Sequence, residues 1–270
     1  MSNEIDKLGI IAGAGQLPLL VAKNAIEQGK HPVIIKVSKD DHPCYSDLKC
    51  DVYEFGVGQI GKITKKLLDR SVTHLILIGK VEPSILLSPF KIDKTTIKLL
   101  AKHRHNPSSI VTAILCHFQE SGFSILKQDH FLPHLLPKPG ILTKRKPTSS
   151  QWEDIKLGIN IARETANKEI GQTVVVKNQI VLAVEAIEGT DLTICRGGEL
   201  GGKGIIVAKA AAVEHDFRID IPTVGMDTLK TIHSVNGSVL AVEANRTFIM
   251  DSDTFYEQAE KWKISIVAVE

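Results

Sequence analysis

The sequence predicts an α/β fold of two domains, and three observations support this prediction. The chain has 270 residues, enough for two domains of ordinary size. In its first half, short apolar runs alternate with helical patterns, as in βαβ units on a parallel sheet. Segment 132–140 then contains three prolines, which disfavour helix and central strand alike. We therefore expect one domain at residues 1–136 and a second, of α/β or α+β type, at 137–270.

Hydrophobic periodicity defines the elements of the first half. The expected strands lie at residues 8–12, 32–37 and 74–78. The expected helices lie at residues 17–28, 60–69 and over most of 93–122.

The second half has a different order of elements. A helix is expected at residues 151–168, followed by two strands at 173–177 and 179–185 that are joined by a turn at Lys177-Asn178. Further elements are a strand at 204–209, two later strands, and helices at 227–234 and 254–263.

Composition excludes several classes of protein. A net charge of +2 without a dense basic stripe argues against a nucleic-acid partner. The four cysteines form no C-x-x-C pair, which argues against a zinc site and a disulfide framework and fits a reducing cytosol. No apolar run reaches the roughly 18 residues of a spanning helix. We expect a cytoplasmic protein.

A glycine loop, Gly13-Ala-Gly-Gln-Leu-Pro18, follows the first strand and opens the first helix. It differs from a dinucleotide fingerprint because Pro18 replaces the third glycine and no acidic residue ends the second strand at Lys36-Val-Ser-Lys39. Glycines at a helix N-terminus still suit a phosphate group, so the loop favours nucleotide binding without nicotinamide. The alternative is that the glycines serve only a tight turn.

Gly79-Lys80 follows the strand at 74–78. Ligands of open parallel sheets gather beyond the carboxyl ends of the strands, so Lys80 either faces the same crevice as the glycine loop or is a solvated strand end.

Three carboxylates, Glu185, Glu188 and Asp191, cluster at the end of an apolar strand. Mg²⁺ prefers a few carboxylate oxygens and fills its other positions with water and phosphate, so this density is compatible with a metal site. The alternative is a polar loop in which Thr190 or Asp191 caps the following helix.

Arg218 and Asp220 alternate with hydrophobic residues in the manner of a strand, which would place both on one face. One could bind a phosphoryl group while the other accepts a proton or holds a metal or water. A simple ion pair on an exposed strand is the alternative.

Six motifs occur in order over nearly the whole chain, and together they resemble the LpxI family. The motifs are LGIIAGAGQLP at 8–18, GKV at 79–81, PGILT at 139–143, GQTVVV at 171–176, AVEAIEGTD at 183–191 and RIDIPTVG at 218–225. The resemblance implies a Rossmann-like N-terminal domain, a family-specific catalytic C-terminal domain, and substrate held between them. It implies Mg²⁺-dependent hydrolysis of UDP-2,3-diacylglucosamine to UMP and 2,3-diacylglucosamine 1-phosphate in lipid A biosynthesis, with water attacking the sugar-side phosphorus.

The same resemblance assigns roles to the candidate residues. The catalytic candidates are Asp220, Arg218 and Lys209. The metal candidates are Glu188, Asp191 and Glu185. The substrate-binding candidates are Gly13, Ala14, Gly15, Gln16, Leu17, Gly79, Lys80, Thr190 and Thr223.

An acylated substrate implies transient contact with the inner-membrane surface. Residues 85–87 and 131–136 could supply apolar surface for acyl chains, although both could equally pack in the core. A homo-oligomer is left open. Because the Lys-Pro step expected before Asp216 is missing, the rival hypothesis is a diverged paralogue that binds a nucleotide-sugar or lipid without efficient turnover.

Overall fold

The structure is a computed structural model that describes residues 7–37, 44–81, 92–102 and 107–270. It divides into two compact units, the first formed by residues up to 132 together with 217–220, the second by 133–216 and 221–270. The main boundary falls inside the proline-rich segment, four residues before the predicted one. The short excursion at 217–220 was not predicted.

The first unit is built on a five-stranded parallel sheet. Its strands are β1 Leu8–Ala12, β2 Val33–Lys36, β3 Asp51–Glu54, β4 His74–Ile78 and β5 Ser124–Ile125. The order is β3-β2-β1-β4-β5, with every neighbouring pair parallel. This order confirms the Rossmann-like prediction and places the switch point between β1 and β4, where ligands of such sheets bind.

Within the described residues of the first unit, four helices accompany this sheet: α1 Leu17–Glu27, α2 Ile60–Asp69, α3 Lys94–Lys102 and α4 Pro107–Glu120. The helical region predicted at 93–122 is thus two helices. Asp93 joins the starts of α3 and α2, because its carboxylate accepts hydrogen bonds from the Thr96 N–H at 2.9 Å and the Lys62 N–H at 3.0 Å. Such bonds satisfy N–H groups that have no partner within a helix.

The second unit contains a six-stranded mixed sheet and a separate two-stranded ribbon. The sheet strands are β6 Gly140–Ile141, β7 Thr173–Lys177, β8 Ile180–Val184, β9 Ile206–Lys209, β11 Val239–Glu243 and β13 Ser265–Val269. The sheet order is β6-β13-β11-β9-β7-β8, in which β9, β11 and β13 are parallel and β6, β7 and β8 each pair antiparallel. The ribbon pairs β10 Thr223–Val224 with β12 Phe248–Ile249.

Helices cover both faces of this sheet. They are α5 Ser149–Asn167, α6 Thr190–Gly201, α7 Met226–Ser234 and α8 Ser252–Lys261. Helix α5 packs on one face, while α6, α7 and α8 pack on the other. Contact with α6 is close, since a Cβ on Gly197 would lie 2.5 Å from Val175 of β7. The second α/β domain is therefore confirmed, and α6 is a helix that the sequence suggested only as an alternative to a metal loop.

Among the helices in the described part of the chain, none has both the length and the apolar character needed to cross a membrane.

Candidate active site

The glycine loop and the Gly79-Lys80 segment meet at the carboxyl ends of the adjacent strands β1 and β4. The Gly13 N–H donates to the Ile78 carbonyl at 2.9 Å. Ala14 and Lys80 exchange two backbone hydrogen bonds, of 2.8 and 2.9 Å. The structure thus brings two of the predicted substrate-binding segments together in the first unit.

The three glycines of these loops have different steric roles. A Cβ on Gly13 would lie 2.6 Å from the Gly79 carbonyl carbon, and Gly79 itself has φ +97°. Gly13 and Gly79 are therefore required by the contact between the loops. Gly15, at φ +95°, would meet no described atom within 4 Å, so its side of the loop is open.

Helix α1 starts at the open side of this loop. Its N-cap residue, Gln16, is exposed and makes no side-chain cap with the described residues, while Leu17 is the first helical residue. Pro18 occupies the first turn, where its missing N–H costs nothing. The first-turn N–H groups and the helix dipole make this end electrostatically suited to an anion.

A second group of candidate residues forms what we call the Lys209 cluster: Lys209, Thr190, Thr173 and Glu185. Lys209 ends β9 and is only 6% exposed. Its Nζ donates to the Thr190 hydroxyl at 2.8 Å and lies 3.5 Å from the Thr173 hydroxyl. Thr190 in turn donates to Glu185 Oε1 at 2.9 Å. The antiparallel pairing of β7 with β9 places Thr173 opposite Lys209.

The three candidate metal carboxylates lie in three separate networks. Glu185 belongs to the Lys209 cluster, whereas Glu188 accepts a 2.7 Å bond from Arg196 and Asp191 accepts a 3.4 Å bond from Thr231. Hydrogen bonds from its own backbone N–H and from Arg196 lower the pKa of Glu188.

These carboxylates do not fit a shared Mg²⁺ cage. Within the residues that the structure describes, no group of three or more His, Cys, Asp or Glu side chains could hold a metal ion. Metal ligation by Glu185, Glu188 or Asp191 stays a prediction.

Arg218 and Asp220 lie on a segment of the first unit that is a turn, not the predicted strand. The turn is held by Gln128, whose backbone N–H donates to the Phe217 carbonyl and whose side-chain amide donates to the Ile219 carbonyl, both at 2.8 Å. Asp220 is exposed and Arg218 half-buried. Gln128 thus supplies the hydrogen bonds for two carbonyls of the turn, and the backbone is fixed without pairing to a neighbouring strand.

Thr223 begins β10 in the second unit, and its hydroxyl donates to the Ile221 carbonyl at 2.9 Å. Thr223 and Asp220 belong to different units, because the chain returns to the second unit at Ile221.

A buried ionic cluster next to Lys209 was missed by sequence reasoning. Glu243, at the end of β11, accepts hydrogen bonds from Arg163 at 2.7 Å, Arg246 at 3.2 Å and the Ala211 N–H at 2.9 Å. Arg246 also donates to the carbonyls of Ala212 and Val213. The cluster thus holds the backbone that directly follows Lys209. Only the position of Glu243 after an apolar run, mirroring that of Glu185, could have pointed to it.

For the run at 131–136 the structure supports the alternative of core packing at three positions. Phe131, Leu132 and Leu135 are buried, so these side chains pack inside the protein. The other predicted apolar run, 85–87, lies outside the described residues. The first unit contains an apolar cavity of about 230 Å³ between β1, β4 and α4, which Gln128 and Ile219 help to line.

Comparison with known families matches both halves of the chain. The LpxI N-terminal domain model matches residues 7–135, and the LpxI C-terminal domain model matches residues 138–267. The chain belongs to the LpxI family. A curated relative, UDP-2,3-diacylglucosamine pyrophosphatase LpxI of Caulobacter vibrioides, is 27% identical over an alignment of 278 positions that covers 98% of this chain and 98% of the relative.

Solved structures resemble the LpxI-family chain only weakly. Isoflavone reductase is 10% identical with a TM-score of 0.31, covering 98% of this chain and 78% of its own. N5-carboxyaminoimidazole ribonucleotide synthetase from Thermotoga maritima is 18% identical with a TM-score of 0.25, and the match covers 75% of this chain and 44% of the synthetase. Neither likeness supports a conclusion about function.

Proposed function

We propose that this chain hydrolyses the diphosphate of UDP-2,3-diacylglucosamine and releases UMP and 2,3-diacylglucosamine 1-phosphate. The observation that carries the proposal is the match to both LpxI domain models along the chain, joined to a relative that bears this activity in its name. The first unit supports it with an anion-suited helix start beside a glycine loop. The second unit supports it with a buried lysine that can neutralise phosphate oxygens.

The chemistry assigns different work to three side chains. Water attacks the sugar-side phosphorus, the bond from that phosphorus to the bridging oxygen breaks, and the bridging oxygen leaves with UMP. Asp220 is exposed and can orient the water and accept its proton. Arg218 and Lys209 carry the positive charge that phosphoryl oxygens require in the transition state.

Mass analysis of products tests this proposal. Incubation with UDP-2,3-diacylglucosamine in ¹⁸O-water should release UMP without label and place one ¹⁸O in the sugar phosphate. Asp220→Asn should abolish turnover while the protein stays folded by circular dichroism. Label in UMP would refute the direction of attack. Substrate binding without UMP release, with several divalent ions tried, would establish instead the diverged paralogue that binds without turnover.

We also propose, as separate points, that turnover depends on Mg²⁺ and that the protein contacts the membrane surface. The chemistry that Mg²⁺ supplies is neutralisation of the diphosphate charge. Activity that persists undiminished in excess EDTA would refute the first point. An acylated substrate resides in a bilayer, so co-sedimentation with substrate-loaded vesicles should exceed that with plain vesicles. Equal co-sedimentation with both kinds of vesicle, or none with either, would refute the second point.

A further inference from the structure

The buried ammonium of Lys209 needs partners that fix its position. A buried charge is tolerated only when it is paired or hydrogen-bonded. One such partner is the Thr190 hydroxyl, at the first residue of helix α6, to which the Lys209 Nζ donates at 2.8 Å.

The direction of the hydrogen bonds at Thr190 follows from the number of its protons. A hydroxyl has one hydrogen and two lone pairs. An ammonium can only donate, and an ionised carboxylate can only accept. The Thr190 hydrogen therefore points to Glu185 at 2.9 Å, and a lone pair faces Lys209 at 2.8 Å. The hydroxyl links a positive charge to a negative one.

Glu185 is itself held in place. Its Oε2 accepts the Gln172 N–H at 3.2 Å, and its backbone N–H donates to the Thr173 carbonyl at 2.9 Å. Gly171 packs so closely on it that an added Cβ would lie 2.2 Å from the Glu185 carbonyl oxygen. A carboxylate fixed on both sides is a firm anchor and has little freedom to rearrange around a metal.

We propose that Thr190 and Glu185 are positioning residues for Lys209, rather than a substrate contact and a metal ligand. This inference rests on the proposed pyrophosphatase function for its kinetic consequence. Pre-organised charge stabilises a transition state best when it needs no rearrangement during the reaction. Glu185 and Thr190 hold the Lys209 ammonium in a pre-organised position. The other two carboxylates of the loop, Glu188 and Asp191, are bonded to Arg196 and Thr231.

Kinetics of three variants test the proposal. Thr190→Val keeps the side-chain shape and removes the hydroxyl, and kcat should fall about 10- to 100-fold, as expected for a slightly misplaced catalytic group, with KM little changed. Thr190→Ser keeps the hydroxyl and should restore most of kcat. Thr193→Val is the matched control, because Thr193 lies on the same helix and its hydroxyl bonds to Glu188 and Gly189 instead. Its kcat should stay near wild type.

Two outcomes would overturn the assignment directly. A Thr190→Val variant in which KM alone rises would make Thr190 a substrate contact. Loss of Mn²⁺ binding in Glu185→Gln, measured by electron paramagnetic resonance without substrate, would make Glu185 a metal ligand. We expect Mn²⁺ binding equal to that of the wild type.

A measurement without turnover separates this inference from the proposed function. Mass spectrometry after brief treatment with an acetylating reagent reports how accessible the Lys209 amine is in the folded protein. Thr190→Val should raise acetylation at Lys209 several-fold, and Thr193→Val should not. If the wild type releases no UMP yet this difference is seen, the function fails and the positioning stands. Equal acetylation in all three proteins refutes the positioning.

Discussion

Removing the Glu243 carboxylate should destabilise the second unit more than any exposed ion pair could. The Glu243 side chain is 5% exposed and serves two arginines and one backbone N–H. Glu243→Ala leaves the buried Ala211 N–H without its acceptor and both guanidinium groups without their carboxylate.

The expected loss follows from these contacts. Truncating one partner of a buried pair costs about 3–5 kcal/mol, a range that includes about 1–3 kcal/mol for the orphaned N–H. The side chains of Arg163 and Arg246 are 27% and 31% exposed, so water compensates part of the lost charge interaction. We therefore expect the lower end, about 3 kcal/mol. Glu243→Gln keeps an acceptor for the N–H and should lose less.

Urea unfolding followed by circular dichroism measures this loss. Asp227→Ala is the control, because the Asp227–Lys230 pair is highly exposed and should contribute at most about 1 kcal/mol. Native proteins have about 5–15 kcal/mol of stability, so the Glu243 variant should still fold. A loss equal to that of the control, or a glutamine variant as unstable as the alanine variant, would refute the reasoning.

Three further perturbations have defined outcomes. Gly79→Ala should lower unfolding stability by about 1–3 kcal/mol, because its φ is +97° and the new Cβ would lie 2.8 Å from the Gly13 carbonyl carbon; an unchanged melting temperature would contradict this. Burial raises the pKa of Asp93, but hydrogen bonds to backbone and hydroxyl groups outweigh it and leave the pKa lowered. The charged carboxylate therefore stabilises the fold fully above about pH 4 and loses that effect as pH falls through the folded pKa, so acid titration of Asp93→Asn should show a shallower loss than wild type; parallel curves would exclude this role. Thr148→Ala removes the capping box with Gln151 and should cost about 1 kcal/mol in urea unfolding, and a loss below about 0.3 kcal/mol would refute the cap.

The local sequence pattern predicted most helices and strands correctly. It failed where contacts with distant residues decide the conformation. The βαβ pattern of the first unit and helices α5, α7 and α8 of the second unit follow from periodicity alone. Strand β3, Asp51–Glu54, was missed because it is a short edge strand with little buried apolar surface. The turn at 217–220 was mistaken for a strand because its backbone is fixed by Gln128, far away in sequence.

The parts of the candidate site that follow from sheet topology could be predicted from the sequence, and the parts that depend on strand register could not. Loops after adjacent parallel strands meet at one edge, so the approach of Gly13 and Gly79 could be expected. The partnership of Lys209 with Glu185 through Thr190 could not, because it depends on the register between β7 and β9 and on the close packing around Gly171. Because Glu185, Glu188 and Asp191 are close in sequence, the sequence predicted a shared metal site instead.

The excursion of residues 217–220 into the first unit has a consequence for biosynthesis. A ribosome releases the chain from its N-terminus, so the first 132 residues emerge well before the residues that complete their unit. Until then the Gln128 side chain lacks the Ile219 carbonyl and the apolar cavity lacks the Ile219 side chain. The nascent first unit is therefore incomplete while most of the second is being translated. Chaperones that bind exposed apolar surface would meet it during that interval, and a fragment ending at residue 132 would keep the defect permanently.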